Sequence, residues 1–310
     1  ARRQPSPIHT AMLAGSGTIR ACAAGFSAPT LDAAQLRTVR SLIERELAAG
    51  ALGVSLGLGY APDCFYSTET LIEALRPLQD SGIPITVHMR QEGDGVVEAL
   101  SEMLTVARSL RTPVEISHLK AIGRRNWRRA VPQMLEMMES AREDGVDVAC
   151  DVYPYTAGST QLIHVLPPEF QAGGMEALTA ALQDAQQRTA MRRRMETGTD
   201  FENISLLVGF ENILPTSLHD PADQSWEGIS LADMADRQGR DPFDVLSREH
   251  CAASMIDRIT DQADIDDILR APFSSVISDA TYPVGGLLHP RVYGTFPRVL
   301  ESYVRERHVL

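Results

Sequence analysis

Ile85-Thr86-Val87-His88-Met89-Arg90 and Glu115-Ile116-Ser117-His118-Leu119-Lys120 are the two stretches that decide the fold of this chain. Each is an apolar run that closes on a histidine and carries a cation two residues further on. Side chains alternate faces along a strand, so the pattern groups His88 with Arg90 and His118 with Lys120. The histidines stand 30 residues apart, about one strand–helix–strand unit. In a parallel barrel both would point into the mouth from neighbouring strand ends, where that fold gathers its chemistry. Two imidazoles there suit a metal ion, with basic groups beside them for an anionic substrate. The competing reading is a pair of hydrogen-bonded core histidines.

Working outward, strand-like runs recur at Thr10–Ala14, Leu52–Leu58, Ile83–His88, Val114–His118 and Val146–Val152. Between them lie stripes at helical spacing: Leu36, Val39, Leu42, Ile43 and Leu47; then Leu71, Ile72, Leu75 and Leu78; then Val96 to Leu104; then Val131, Met134, Leu135 and Met138. Gly50, Gly82 and Gly145 supply helix stops. The alternation predicts consecutive βα units and a parallel sheet. After Tyr155 the rhythm breaks. A helical stretch over Met175–Met195, a strand at Ile204–Val208, a loop at Leu214–Gln224 and helices near Ser230–Arg237 and Asp241–Cys251 precede a last strand at Ser274–Asp279. We divide the chain into barrel units over 1–165, an inserted small domain with its returning helix over 166–262, and the last strand with the C-terminal segment over 263–310. That makes six barrel strands, against the eight of a complete barrel.

A net charge of −12 argues against nucleic acid or an anionic membrane as a partner, since both reward a basic face. No apolar run approaches the ~20 residues of a membrane span. The opening Ala1-Arg2-Arg3-Gln4-Pro5 lacks the apolar core of a secretory signal. Four scattered cysteines without a CxxC pair point to buried thiols and a reducing, cytoplasmic setting.

Further groups could carry chemistry. Asp279 ends an apolar run, as a metal ligand or proton acceptor, or else as a helix cap. Arg90 and Lys120 could pair with a substrate carboxylate, or with rim acids. Asp151, Tyr153 and Tyr155 share one face of a strand end, where a tyrosine can donate to a carboxylate or a developing oxyanion. Gly15-Ser16-Gly17 and Gly57-Leu58-Gly59 read as loop glycines after strands and form no dinucleotide fingerprint, and there is no GxSxG elbow.

The segments Gly50–Leu58, Val87–Arg90, Ile116–Lys120, Asp151–Ala157, Ser278-Asp279 and His289–Arg298 together resemble the D-aminoacylase (N-acyl-D-amino-acid deacylase) family of the amidohydrolase superfamily. The resemblance follows the family's order over nearly the whole chain. It implies a metal-dependent hydrolase of the TIM (β/α) barrel type, here with strands 3 to 8 and a small domain inserted between the last two. It further implies that His88 and His118 bind Zn²⁺, that Asp279 is the catalytic acid/base, and that Lys120 and Tyr153 bind the substrate carboxylate, with Arg90 as a further candidate. The implied substrate is a small N-acyl-D-amino acid, whose amide is hydrolysed to a carboxylic acid and a D-amino acid.

The departures are equally specific. The family's HxH pair and its bridging cysteine have no counterpart, and Ser16 stands where the family commonly has histidine. Cys22 falls in the wrong register to replace the missing thiolate. No Arg or Lys lies between Tyr155 and Met175, which favours neutral or apolar substrate side chains. Two alternatives stand beside the deacylase reading: an inactive or incomplete amidohydrolase fragment, and a related cyclic-amide hydrolase.

Overall fold

The computed structural model describes residues 8–218, 220–247, 253–281 and 285–310. Cys251, Pro283 and the opening residues 1–7 therefore lie outside the described residues. The strands in chain order are β1 (Ala14–Gly15), β2 (Val54–Gly57), β3 (Ile85–His88), β4 (Val114–Ile116), β5 (Val148–Val152), β6 (Ala157–Gln161), β7 (Ile213–Thr216), β8 (Ser254–Arg258) and β9 (Ser274–Val276).

Six of them form one parallel sheet in the order β1-β2-β3-β4-β5-β9. The sheet does not close: β1 and β9 are its edges. This is the partial (β/α) barrel that the sequence predicts. Helices Ala33–Ala48, Val96–Leu110, Ala130–Glu143 and Gln262–Arg270 lie between successive strands and bury their apolar stripes against it. Ile85 and Val87 on β3 are fully buried on the helix side, which leaves Thr86 and His88 on the other face.

One correction falls at the start of the chain. The Gly15-Ser16-Gly17 segment is not a loop after a strand, because a helix begins at Ser16 and runs to Ala24. Ser16 is buried there and donates to Asp63. Cys22 on this helix is exposed, so the expectation of a buried thiol holds for Cys150 but not for Cys22.

The excursion is a second unit with its own antiparallel sheet, order β6-β8-β7, and its own apolar core around Leu162, Met191, Met234 and Met255. Its first strand, β6, begins at Ala157 and pairs with β8. Ile204–Val208 is a short helix, not a strand: the Asn203 side chain caps it by accepting from the Leu206 amide. A strand instead occupies Ile213–Thr216, inside what reads as a loop. The helical stretch from 175 to 195 is two helices, Gly174–Gln183 and Ala185–Thr197, separated at the capping residue Asp184. Among the described residues no helix is long and apolar enough to cross a membrane.

Gly53 shows how tightly β2 enters the sheet. A Cβ at this position would stand 2.5 Å from the Pro84 carbonyl oxygen and 3.0 Å from a Leu13 methyl. The nearer atom is backbone and cannot rotate away. Gly53→Ala is expected to destabilise the chain by about 1–3 kcal/mol, read as a lower urea midpoint at unchanged slope.

Candidate metal centre and substrate cleft

His88 ends β3, and His118 follows β4 by two residues. The backbone of His118 is left-handed, φ +42°, a conformation costly for a residue with a Cβ and one that clusters at functional sites. The Asp151 carboxylate helps hold it there, accepting a hydrogen bond from the His118 amide. Burial, reinforced by the neighbouring Glu115, pushes the Asp151 carboxyl up to about 9. Asp279 beyond β9 has φ +46°, a second strained position in the same site.

The two imidazoles meet. Nδ1 of His88 lies 3.2 Å from Nε2 of His118, with the rings at 68°. Two nitrogens bound tetrahedrally to one zinc at ~2.0–2.1 Å would be ~3.3 Å apart, so the spacing suits a shared ion. Burial holds His88 neutral, lowering its pKa to about 3, and a metal requires the neutral form. His118 Nδ1 is 3.1 Å from Oε1 of Glu92. His88, Glu92 and His118 offer ligand atoms within 4.8 Å of one another.

Nε2 of His88 is buried without a hydrogen-bond partner among the described residues. Gly59 passes so close that a Cβ there would be 2.7 Å from this nitrogen, and the Tyr60 ring stacks on the imidazole at 4.4 Å.

Glu92 is 1% exposed and joins the pair to Lys120, whose Nζ lies 2.6 Å from Oε2 of Glu92 and 2.7 Å from Nδ1 of His118. Burial alone would raise the Glu92 carboxyl, but His88, Lys120 and His118 outweigh it and hold the group well below the usual range.

These side chains open onto a cleft lined also by Tyr60, Tyr153, Ser159, Thr160, Glu202, Asp257, Asp279 and Arg291. Asp279 accepts from Nη1 of Arg291 at 2.6 Å. Arg291 is almost fully buried, with Nη2 donating to the Ser159 carbonyl and its guanidinium 4.9 Å from the Tyr153 ring centre. Its Nε has no acceptor among the described residues. His289 anchors the segment: one ring nitrogen accepts from the Arg291 amide and the other donates to the Ala157 carbonyl.

Of the residues singled out in the sequence, His88, His118, Lys120, Tyr153 and Asp279 line this one cleft. Tyr153 is the buried tyrosine of its motif, while the Tyr155 hydroxyl points to the Pro290 carbonyl. Asp279 caps no helix, since the next described helix begins at Arg291. Arg90 must be corrected. Strand geometry ends at His88, and the guanidinium turns away to Glu102 and the carbonyls of Cys64 and Tyr66. It does not line the cleft.

Glu92, Glu202, Asp257 and Arg291 are cleft residues that the sequence reading did not single out. Arg291 lay within a quoted motif. Glu92 had one readable signal, an acid four residues past His88 in a turn rich in glycine. Burial raises the Glu202 carboxyl to about 8, with Glu92 adding to it, and raises Asp257 to about 6.

Known proteins resemble the chain over nearly all of its length. No family model matches it. A D-aminoacylase of Alcaligenes xylosoxydans xylosoxydans is 30% identical over 305 residues, 98% of this chain and 54% of the relative. The crystal structure of a D-aminoacylase, described as defining a novel subset of amidohydrolases, superposes with a TM-score of 0.76 at 29% identity, covering 99% of this chain and 55% of that one. The N-acyl-D-glutamate deacylase from Bordetella bronchiseptica, complexed with zinc and a phosphonate inhibitor, gives a TM-score of 0.76 at 28% identity, over 98% and 54% of the two chains. The chain therefore spans about half the length of the relatives it matches. With its partial barrel and antiparallel insertion, the chain is similar, over the part it spans, to the D-aminoacylases of the amidohydrolase superfamily.

Proposed function

We propose that this chain carries the metal- and substrate-binding wall of an N-acyl-D-amino-acid deacylase acting in a reducing, cytoplasmic setting. The observation that carries the reading is the facing pair of imidazoles, 3.2 Å apart, beside a buried Lys120 and an Asp279 held by Arg291. His88 and His118 would hold Zn²⁺, with Glu92 orienting His118. Zinc bound there supplies Lewis-acid chemistry, polarising an amide carbonyl and acidifying water.

The chain's own residues do the rest. Lys120 has three N–H donors and uses one on Glu92, which leaves donors for the α-carboxylate of the substrate. The Tyr153 hydroxyl and the free Nε of Arg291 are further donors on the same cleft. Asp279 would accept a proton from the attacking water and return it to the leaving amine, as general base and then general acid. Arg291 fixes the carboxylate for that transfer.

Zinc per chain, measured by elemental analysis on the dialysed protein, tests the reading first. Close to one zinc supports it, and none retained counts against it. Asp279→Asn then separates roles. It is expected to keep the affinity for an N-acyl-D-amino acid within about threefold while lowering turnover by about 100-fold or more. Equal loss of both would remove Asp279 from the proton transfer.

A further inference from the structure

The cleft holds more carboxyl groups than its own cations pair with. Among its lining residues the cations are Lys120 and Arg291, and each already has a carboxylate, Glu92 at 2.6 Å and Asp279 at 2.6 Å. Glu202 and Asp257 remain. Both come from the inserted unit: Asp257 from β8, and Glu202 from the turn before the Ile204–Val208 helix.

Asp257 is the sharper observation. It is 3% exposed, and its Oδ1 is buried with no hydrogen-bond donor among the described residues. A buried carboxylate oxygen without a donor is costly, so its presence asks for a ligand. The space in front of it is built by sequence. Asp257 pairs across the sheet with Gly158, and a Cβ on Gly158 would lie 2.8 Å from that oxygen. Glu202 accepts from the Glu92 amide at 2.7 Å, which turns its carboxylate toward the same cleft. Among the described residues the three donors that lie within 4.8 Å of one another are His88, Glu92 and His118, without Glu202 or Asp257. Ile122, Ile204 and Ile259 supply apolar wall between the polar groups, suited to a short methylene chain.

We infer that Asp257, with Glu202, forms a subsite for a cationic group on the ligand, so that the preferred substrates are N-acyl-D-amino acids with a basic side chain. This rests on the deacylase reading for the rest of the substrate, and it replaces the neutral or apolar preference drawn from the missing basic residues. The cations absent between Tyr155 and Met175 exclude an acidic side chain, and the carboxylates contributed by later residues select a basic one.

The test compares three probes by calorimetry on the 310-residue chain: Nα-acetyl-D-lysine, Nα-acetyl-D-norleucine and n-butylammonium. The lysine derivative is expected to bind about tenfold or more tightly than the norleucine one, the scale of a charge-assisted hydrogen bond. Asp257→Asn should bring that ratio close to one. Equal binding of the two acetylated compounds to the unaltered chain overturns the inference and leaves the deacylase reading standing. If neither acetylated compound binds but n-butylammonium does, in an Asp257-dependent way, the cation subsite stands and the deacylase reading falls. Failure of all three removes both.

Discussion

Zinc retention is expected to be lost when either His88 or His118 is replaced by alanine. The two nitrogens are the face-to-face donors of the site, 3.2 Å apart. Orienting partners outside the ligand set are by themselves worth about 10–100-fold in metal affinity, so loss of a direct donor should exceed about 100-fold. Competition with a chromophoric chelator reads this directly. The fold should survive, because both rings sit at strand ends on the open face while the core lies on the helix side. Substitution of Lys120 by Met gives the contrast: it removes a carboxylate donor but no metal donor. If His88→Ala and Lys120→Met lost zinc equally, the metal would not be bound by the imidazoles.

Glu92→Ala should produce the largest loss of stability of any single change in the site. Glu92 is 1% exposed and Lys120 6% exposed, and they are joined at 2.6 Å. Removing the carboxylate strands a buried ammonium, which costs about 3–5 kcal/mol in comparable pairs. Urea unfolding would show this as a lower midpoint at unchanged slope. Replacing both partners by neutral residues of similar size, Glu92→Gln with Lys120→Met, should recover most of the loss, since neither charge is then left alone. A Glu92→Ala protein within about 1 kcal/mol of the parent would mean that the Lys120 ammonium is satisfied from elsewhere.

The part of the site that could be read from sequence is the part built on regular strands. His88 and His118 follow apolar runs whose alternation fixes a face. The same rule misled at Arg90, because alternation stops where β3 stops, at His88. In the inserted unit, local signals were ambiguous. A short run with four apolar residues in five, Ile204–Val208, suits either a strand or a helix turn, and what decides it is the Asn203 side chain, which also donates to the Met195 and Gly198 carbonyls. Pro215 hid β7, yet β7 is an edge strand of its sheet, where a missing N–H is tolerated. Glu92, Glu202 and Asp257 were not legible because nothing local marks a carboxylate that will be buried by a distant segment. Their environment is tertiary.

The pairing of Ala157 with Arg258 fixes the two ends of the inserted unit side by side. For the chain as a polymer, this makes the insertion a short circuit. Val152 and Val276 must find each other across the whole excursion. Once β6 and β8 have zipped, the loop left to close is roughly fivefold shorter, which lowers the entropic cost of joining β5 to β9 by about 1.5 kcal/mol. A unit with its own core and adjoining ends is modular: it can grow, shrink or change its lining without disturbing the register of the sheet it leaves and rejoins. Glu202 and Asp257 both reside in that module. The selectivity of the cleft can therefore drift while the histidine pair stays where the parallel strands put it.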